Sequence, residues 1–317
     1  MTDLQKTDGR IAVLLPCYNE EAAIGATVRA FRAALPLAQV YVYDNNSKDR
    51  TAEVAREAGA IVRNEHRQGK GNVMRRMFAD VEADIYVLAD GDDTYDAAQA
   101  PELIAKLVTE ELDLVTGRRV HTEAAAYRAG HVWGNRMLTG LTALMFGIEL
   151  KDMLSGYRVM SRRFVKSFPF TAAGFAIETE LTVHAVRLLM PMAEVDTPYK
   201  ERPAGSASKL NTYRDGFRIL FTIAHLVREE RPLFFFGAIA AILAVIAGIF
   251  GWSLLIEFIE TSKVPRLPTA LLATGLMVIA FLCLMSGLIL DTVTRGRWEA
   301  KRMAYLAFRG PQERRNS

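Results

Sequence analysis

The sequence predicts an α/β domain built on a mainly parallel sheet, followed by an amphipathic interface helix and two membrane-crossing helices. Three observations carry this reading. Apolar runs of strand length alternate with helical patterns between Ile11 and about Lys209, the signature of βαβ units. The stretches that follow the strands are polar in every case. Finally, Leu233–Ile256 and Thr269–Leu290 contain no Asp, Glu, Lys or Arg, and each meets the roughly 20 apolar residues that a helix needs to cross a bilayer.

In chain order the predicted strands are Ile11–Leu15, Val40–Tyr43, Ala60–Arg63, Ile85–Ala89 and Leu114–Thr116. Helices are predicted between them near Glu21–Leu35, Thr51–Ala58, Gly71–Asp80 and Pro101–Glu110. Pro101 suits a first helical turn and Asp49 a cap. Further on, Phe217, Leu220, Phe221 and Ala224 recur at helical spacing beside Arg214, Arg218, His225 and Arg228, a pattern for a helix lying in the membrane interface. The domain boundaries expected are 1–210 for the α/β unit, 211–232 for the interface helix, 233–290 for a hairpin of two spans (233–256 and 269–290), and 291–317 for a basic tail.

Composition agrees. The chain has 317 residues, 50% hydrophobic and 24% charged, which excludes a disordered chain, a collagen-like repeat and a small disulfide scaffold. Mean hydropathy of +0.10 is high for so many charges, so apolar and charged residues must be segregated. The net charge of +3 does not mark a nucleic-acid binder; basic residues cluster instead at Arg214, Arg218, Arg228 and Arg231 before the first span and from Arg295 to Arg315 after the second. The linker Glu257–Pro268 carries only Lys263 and Arg266. The positive-inside rule therefore places both ends of the chain in the cytoplasm. Met1–Arg10 is polar and lacks a signal-peptide pattern, so anchoring is expected from the C-terminal side. Cys17 and Cys283 are the only cysteines and lie in different regions, so no disulfide is expected, as in a reducing compartment.

In doubly wound sheets ligands bind beyond the carboxyl ends of the strands. Three polar clusters fall there: Pro16-Cys17-Tyr18-Asn19-Glu20, Asp44-Asn45-Asn46-Ser47-Lys48-Asp49 and Asp90-Gly91-Asp92-Asp93-Thr94-Tyr95. No Gly-x-Gly-x-x-Gly or Gly-x4-Gly-Lys-Ser/Thr occurs, so a dinucleotide fold or P-loop ATPase has no support. Carboxylates at Asp90 and Asp92, straight after a buried strand, can jointly face a divalent cation. Mg2+ and Mn2+ commonly bridge one or two carboxylates to substrate phosphates.

These clusters, together with Lys70-Gly71, Gly117-Arg118-Arg119, Asp152-Met153-Leu154-Ser155-Gly156-Tyr157-Arg158 and the late Arg202 and Ser208-Lys209-Leu210, resemble the family 2 glycosyltransferases. Within that family the set is most similar to the polyprenyl-phosphate glycosyltransferases, which include the dolichyl-phosphate mannose synthases and bactoprenol glucosyltransferases. The resemblance covers residues 11–210 in order, and the two spans extend it to nearly the whole chain.

The resemblance implies a GT-A-type nucleotide-sugar-binding domain and inverting, metal-dependent sugar transfer to a polyprenyl phosphate, making a lipid-linked donor for cell-envelope glycan modification. It implies that Pro16, Tyr18 and Glu20 contact base or ribose and that Asp44 with Asn45 reads the base. Many relatives carry two acidic residues at the latter pair, so the base stays open, with UDP preferred over GDP. Asp90, Gly91 and Asp92 would hold donor and metal, with Thr94 where some relatives offer a Gln. Lys70 either approaches the nucleotide or sits solvated on its turn.

For the acceptor phosphate the resemblance offers Arg118 and Arg119, the second better aligned, while Arg128, His131 and Arg136 compete for a further phosphate contact. Residues His121–Gly130 would form the loop admitting the acceptor. Asp152 is implied as a sugar contact, or else an ordinary strand entry. Arg202 and Lys209 resemble basic residues that close over the diphosphate, although a plain linker would look similar. Asp92, Arg119 and Asp152 are the expected catalytic residues, Mg2+ or Mn2+ the cofactor, and a homo-oligomer, tetrameric in similar two-span relatives, the assembly. Two alternatives stay open: transfer to a glycolipid or polysaccharide hydroxyl, with Asp93 or Asp152 as base, and a non-catalytic membrane scaffold. His184 and His225 are read as packing or interfacial residues.

Overall fold

The computed structural model describes residues 10–121, 140, 151–169, 177–200, 225 and 227–311. The chain divides into two compact units, Met1–Gly216 with Lys301–Ser317, and Phe217–Ala300.

In the first unit β1 (Ile11–Cys17), α1 (Glu21–Ala34), β2 (Gln39–Asp44), α2 (Thr51–Glu57), β3 (Ile61–Asn64), α3 (Lys70–Asp80), β4 (Ile85–Leu88), α4 (Ala100–Thr109) and β5 (Leu114–His121) fall within a few residues of their predicted positions. They then continue into β6 (Arg158–Ser161), α5 (Arg162–Ser167), α6 (Ile177–Arg187) and β7 (Met192–Tyr199). The seven strands form one sheet in the order β3-β2-β1-β4-β6-β5-β7. β1 to β4 pair in parallel, as do β5 and β7, and only β6 runs against its neighbours.

Both faces of the sheet are covered, which is why its central strands read as unbroken apolar runs. On one face Ile24, Val28 and Phe31 of α1 pack with Leu103, Ile104 and Leu107 of α4. On the other, Met74, Met77 and Phe78 of α3 pack with Phe164 of α5 and Leu181 of α6. β7 is an edge strand, where Pro198 costs no central ladder bond.

The reversed direction of β6 positions the site. Arg158 pairs with both Leu88 and Thr116, so the segment leading into β6 arrives where β4 ends. Residues 152–157 are thus brought to the carboxyl rim by a strand that points away from it.

Residues beyond Lys301 also belong to this unit. The Tyr305 hydroxyl donates to Asp113 Oδ2 at 2.7 Å, while Asp113 Oδ1 accepts from Ser161 Oγ at 2.6 Å and Arg163 Nε at 2.5 Å. The Arg163 guanidinium lies 4.8 Å from the centre of the Tyr305 ring. Asp113 is fully buried, and these three donors offset the loss of its hydration.

The second unit holds α7 (Pro232–Thr261) and α8 (Leu267–Leu306) as far as Ala300, both helices long and apolar enough to cross a membrane. Only 11% and 17% of their most apolar windows are buried, unlike core helices. Ala240 and Ala247 on α7, and Ala273, Ala280, Gly287 and Thr294 on α8, are buried at intervals of seven, so small residues line the seam. α8 runs past the apolar segment, and the basic stretch expected as a tail from residue 291 begins inside it.

Candidate active site

The rim is built from three neighbouring strand ends. Cys17 pairs with Asp44 and Leu14 with Leu88, so the segments leaving β1, β2 and β4 emerge side by side. Each contains one residue with a left-handed backbone: Asn19 (φ 53°), Asn46 (φ 61°) and Asp93 (φ 58°). Asn and Asp tolerate this region better than other non-glycine residues, and such conformations gather at ligand sites. The first two segments are stitched together. The amides of Asn19, Glu20 and Glu21 donate to Ser47 Oγ, Thr51 Oγ1 and Asp49 Oδ2, and the Lys48 amide returns to Asn19 Oδ1 at 2.8 Å. Side chains of the second segment therefore satisfy donors at the start of α1.

Asp44 and Asn45 behave differently. Asp44 Oδ2 accepts from the Ser47 amide, while its buried Oδ1 has no hydrogen-bond partner among the described residues. Asn45 is committed to the protein: Nδ2 donates to the carbonyls of Glu65 and Arg67, both at 2.8 Å, and Oδ1 accepts from the Gly69 amide at 2.7 Å. An aspartate could not donate the first two bonds, which accounts for an amide at this position.

Gly91 and Gly156 let the rim close. A Cβ on Gly91 would collide with the Cys17 sulfur, and one on Gly156 would stand 2.7 Å from Asp90 Oδ2. Asp90 Oδ1 meets Lys70 Nζ at 2.6 Å, and Lys70 also meets Glu178 Oε1 at 2.6 Å. Asp92 is 2% exposed, and its Oδ1 accepts from the Thr94 hydroxyl at 2.6 Å. Burial, reinforced by Glu20, Asp44, Asp90 and Asp92, pushes the Cys17 thiol far above its usual range. Those four carboxylates therefore bear on one point.

Such a concentration of negative charge suits a divalent cation. Among the described residues no cluster of three or more His, Cys, Asp or Glu could hold a metal. The donor set of Asp90 and Asp92 fits an ion that takes its remaining oxygens from phosphate and water.

Arg119 supplies the opposite charge. Its Nε and Nη2 each lie 2.8 Å from one oxygen of Asp152, and its guanidinium sits 5.7 Å from the centre of the Tyr199 ring. Burial works against a charged guanidinium, but Asp152 outweighs it and holds Arg119 protonated. Burial likewise opposes the Asp152 anion, and Arg119 overcomes it, keeping that carboxyl below its ordinary range. Arg118, on the opposite face of β5, forks onto Asp196.

Residues 12–168 match the family model described as glycosyl transferase family 2. The glycosyltransferase AglJ of Haloferax volcanii is 34% identical over 74% of this chain and 77% of its own. A dolichyl-phosphate hexose transferase of the same organism is 30% identical over 70% of this chain and 95% of its own. The chain belongs to glycosyl transferase family 2. Among solved structures, the glucosyl-3-phosphoglycerate synthase of Mycobacterium tuberculosis in complex with Mn2+, UDP and glucosyl-3-phosphoglycerate superposes with a TM-score of 0.55. It is 26% identical, with 70% of this chain and 82% of that one covered. The fold of this glycosyltransferase is accordingly GT-A-like.

In this family 2 glycosyltransferase Pro16, Tyr18 and Glu20 lie partly exposed on the rim beside Asp44, Asp90, Gly91, Asp92 and Thr94. Lys70 joins them through Asp90, and Arg119 joins Asp152. Asn45 lies beneath the rim as a brace. Arg128, His131, Arg136, Arg202, Lys209 and most of the expected interface helix lie outside the described residues, as does all of the expected His121–Gly130 loop except His121, which ends β5. Sequence reasoning missed Glu178, 108 residues from Lys70. Its only trace in the sequence is an acidic residue on the apolar approach Gly174-Phe175-Ala176-Ile177.

Proposed function

We propose that this family 2 glycosyltransferase moves a sugar from a nucleotide diphosphate sugar, with UDP favoured, to a polyprenyl phosphate at the cytoplasmic face of the membrane, inverting the anomeric centre. The observation that carries the reading is the pairing on one rim of an acidic set, Asp90 and Asp92, with a preorganised cation, Arg119. The first suits a metal-bound diphosphate and the second an acceptor phosphate. The relative named as a dolichyl-phosphate hexose transferase supports a lipid phosphate acceptor, and the neighbour solved with UDP and Mn2+ supports the donor and the metal. Two membrane-length helices and the flanking arginines support the location.

Asp44 Oδ1, which has no hydrogen-bond partner among the described residues, suits the ring N–H of a uracil, and a guanine also presents one. Asp90 and Asp92, with Thr94 orienting the latter, would hold Mg2+ or Mn2+, whose positive charge offsets the negative charge that develops on the departing nucleoside diphosphate. Arg119 places the acceptor phosphate. One of its oxygens bonds to the anomeric carbon as the bond from that carbon to the diphosphate oxygen breaks. A phosphomonoester is already ionised near neutral pH, its second pKa being about 6, so no protein base is required. A hydroxyl acceptor would require one. Asp152 makes a poor base because Arg119 holds it ionised and weakly basic.

The test is transfer by the full chain in membranes supplied with a labelled UDP-sugar or GDP-sugar, a polyprenyl phosphate and Mn2+. Label should enter the organic phase, be released by mild acid, and be lost with Asp92→Asn. Undiminished transfer by that variant, or a product that stays in water, overturns the reading.

A further inference from the structure

Glu178 sits at the start of α6, 7% exposed, and no motif points to it. Its Oε1 lies 2.6 Å from Lys70 Nζ, the same distance that separates Lys70 from Asp90 Oδ1. One ammonium is thus shared by two carboxylates, and the trio carries a net negative charge. Burial alone would favour neutral lysine, but Asp90 and Glu178 reverse that preference.

The second carboxylate matters because of what lysine is. A point charge on a four-carbon stem has no geometry of its own and loses considerable rotamer freedom when fixed. Bound to Asp90 alone, Lys70 would simply cancel a carboxylate that a cation needs. Anchored also by Glu178, it stays in place whether or not Asp90 turns to a cation. Two of its three N–H donors go to the carboxylates, and the third matches a phosphate oxygen.

We propose that Glu178 is a positioning residue: it fixes the Lys70 ammonium beside Asp90 so that the lysine meets the diphosphate of the sugar donor. This rests on the rim being the nucleotide-sugar site. Asn45 supports the same arrangement from beneath, since it holds the Gly69 amide immediately before Lys70.

The experiment is calorimetry on the full chain in detergent, titrating UDP with Mn2+, and uridine separately, into wild type, Glu178→Gln, Lys70→Met and the double variant. GDP and guanosine form the parallel pair. Glu178→Gln should weaken UDP about tenfold, as expected for a charge-assisted hydrogen bond worth about 1.5 kcal/mol. Uridine, which lacks phosphate, should bind unchanged. Lys70→Met should cost at least as much, and the double variant no more than Lys70→Met alone. Glu178→Asp, which keeps the charge but withdraws it by one methylene, should fall between wild type and Glu178→Gln. Full additivity of the two single losses, or an equal loss of uridine binding, overturns the role of Glu178 while leaving the donor site standing. Absence of metal-dependent UDP and GDP binding in wild type overturns the donor-site reading and this inference with it.

Discussion

Arg119 and Asp152 meet fork to fork, Nε to Oδ2 and Nη2 to Oδ1, both at 2.8 Å, across 33 residues of sequence. The Arg119 amide adds a third, longer bond to Oδ2 at 3.3 Å. The pair is a rigid cation supported by a buried anion, so the carboxylate acts through the arginine. Asp152→Asn should therefore lower transfer by roughly 10²–10³-fold, the scale of losing one preorganised charge-stabilising group. Arg119→Lys should not restore it, since an ammonium cannot reproduce the planar fork. Steady-state rates at saturating donor check this; a Lys variant with wild-type rates would contradict it.

Asn45→Asp should destabilise the first unit. The Glu65 and Arg67 carbonyls would then face a carboxylate instead of an amide donor. Each buried acceptor left unsatisfied costs about 1–3 kcal/mol, so a loss of about 2–4 kcal/mol is expected, seen as a lower thermal midpoint. An unchanged midpoint would show that the 65–69 segment does not depend on this amide.

Gly156→Ala should act on metal binding more than on folding. The added Cβ would reach Asp90 Oδ2 at 2.7 Å and displace that carboxylate from its bond with Lys70. The Mn2+ concentration giving half-maximal transfer should rise several-fold with little change in the thermal midpoint. Equal Mn2+ dependence in variant and wild type would place Asp90 outside the metal site.

His184 should make stability depend on pH. Burial, helped by the nearby Lys301 charge, pushes its imidazole down to about 3. The ring packs against Phe164 and Phe168, and its Nε2 is 3.1 Å from Ser167 Oγ. The folded chain keeps this histidine neutral, whereas the unfolded chain protonates it near pH 6.5. Stability is thus fully present above pH 6.5 and falls as pH drops toward 3, with a slope of at most about 1.4 kcal/mol per pH unit. Denaturant titrations between pH 7 and 5 should show this slope in wild type and lose it in His184→Phe.

The first half of the α/β unit is legible in the sequence because its signals are local. Strands β1 to β5 are short apolar runs between helices with clear one-sided patterns, and their ends carry polar clusters that mark the rim. β6, α5, α6 and β7 escape such reading. Arg158-Val159-Met160-Ser161 is too short to show a period, and β7 mixes Glu194, Asp196 and Pro198 with its apolar residues because it lies at a sheet edge. Asn45 was legible as a rim residue but not as a brace, because its partners are backbone atoms of another segment.

Composition, periodicity and order along the chain determined the α/β class, the two membrane-length helices and the acidic pair Asp90/Asp92, since all of these are properties of neighbouring residues; Arg119 was singled out by the resemblance of Gly117-Arg118-Arg119 to a family motif. Tertiary structure alone decided which charges meet. It reversed β6, so that Asp152 reached Arg119 and Gly156 reached Asp90, and it brought Glu178 to Lys70 and Tyr305 to Asp113. Partners separated by 33 to 192 residues leave no periodic trace, because only the folded sheet sets the distance between them.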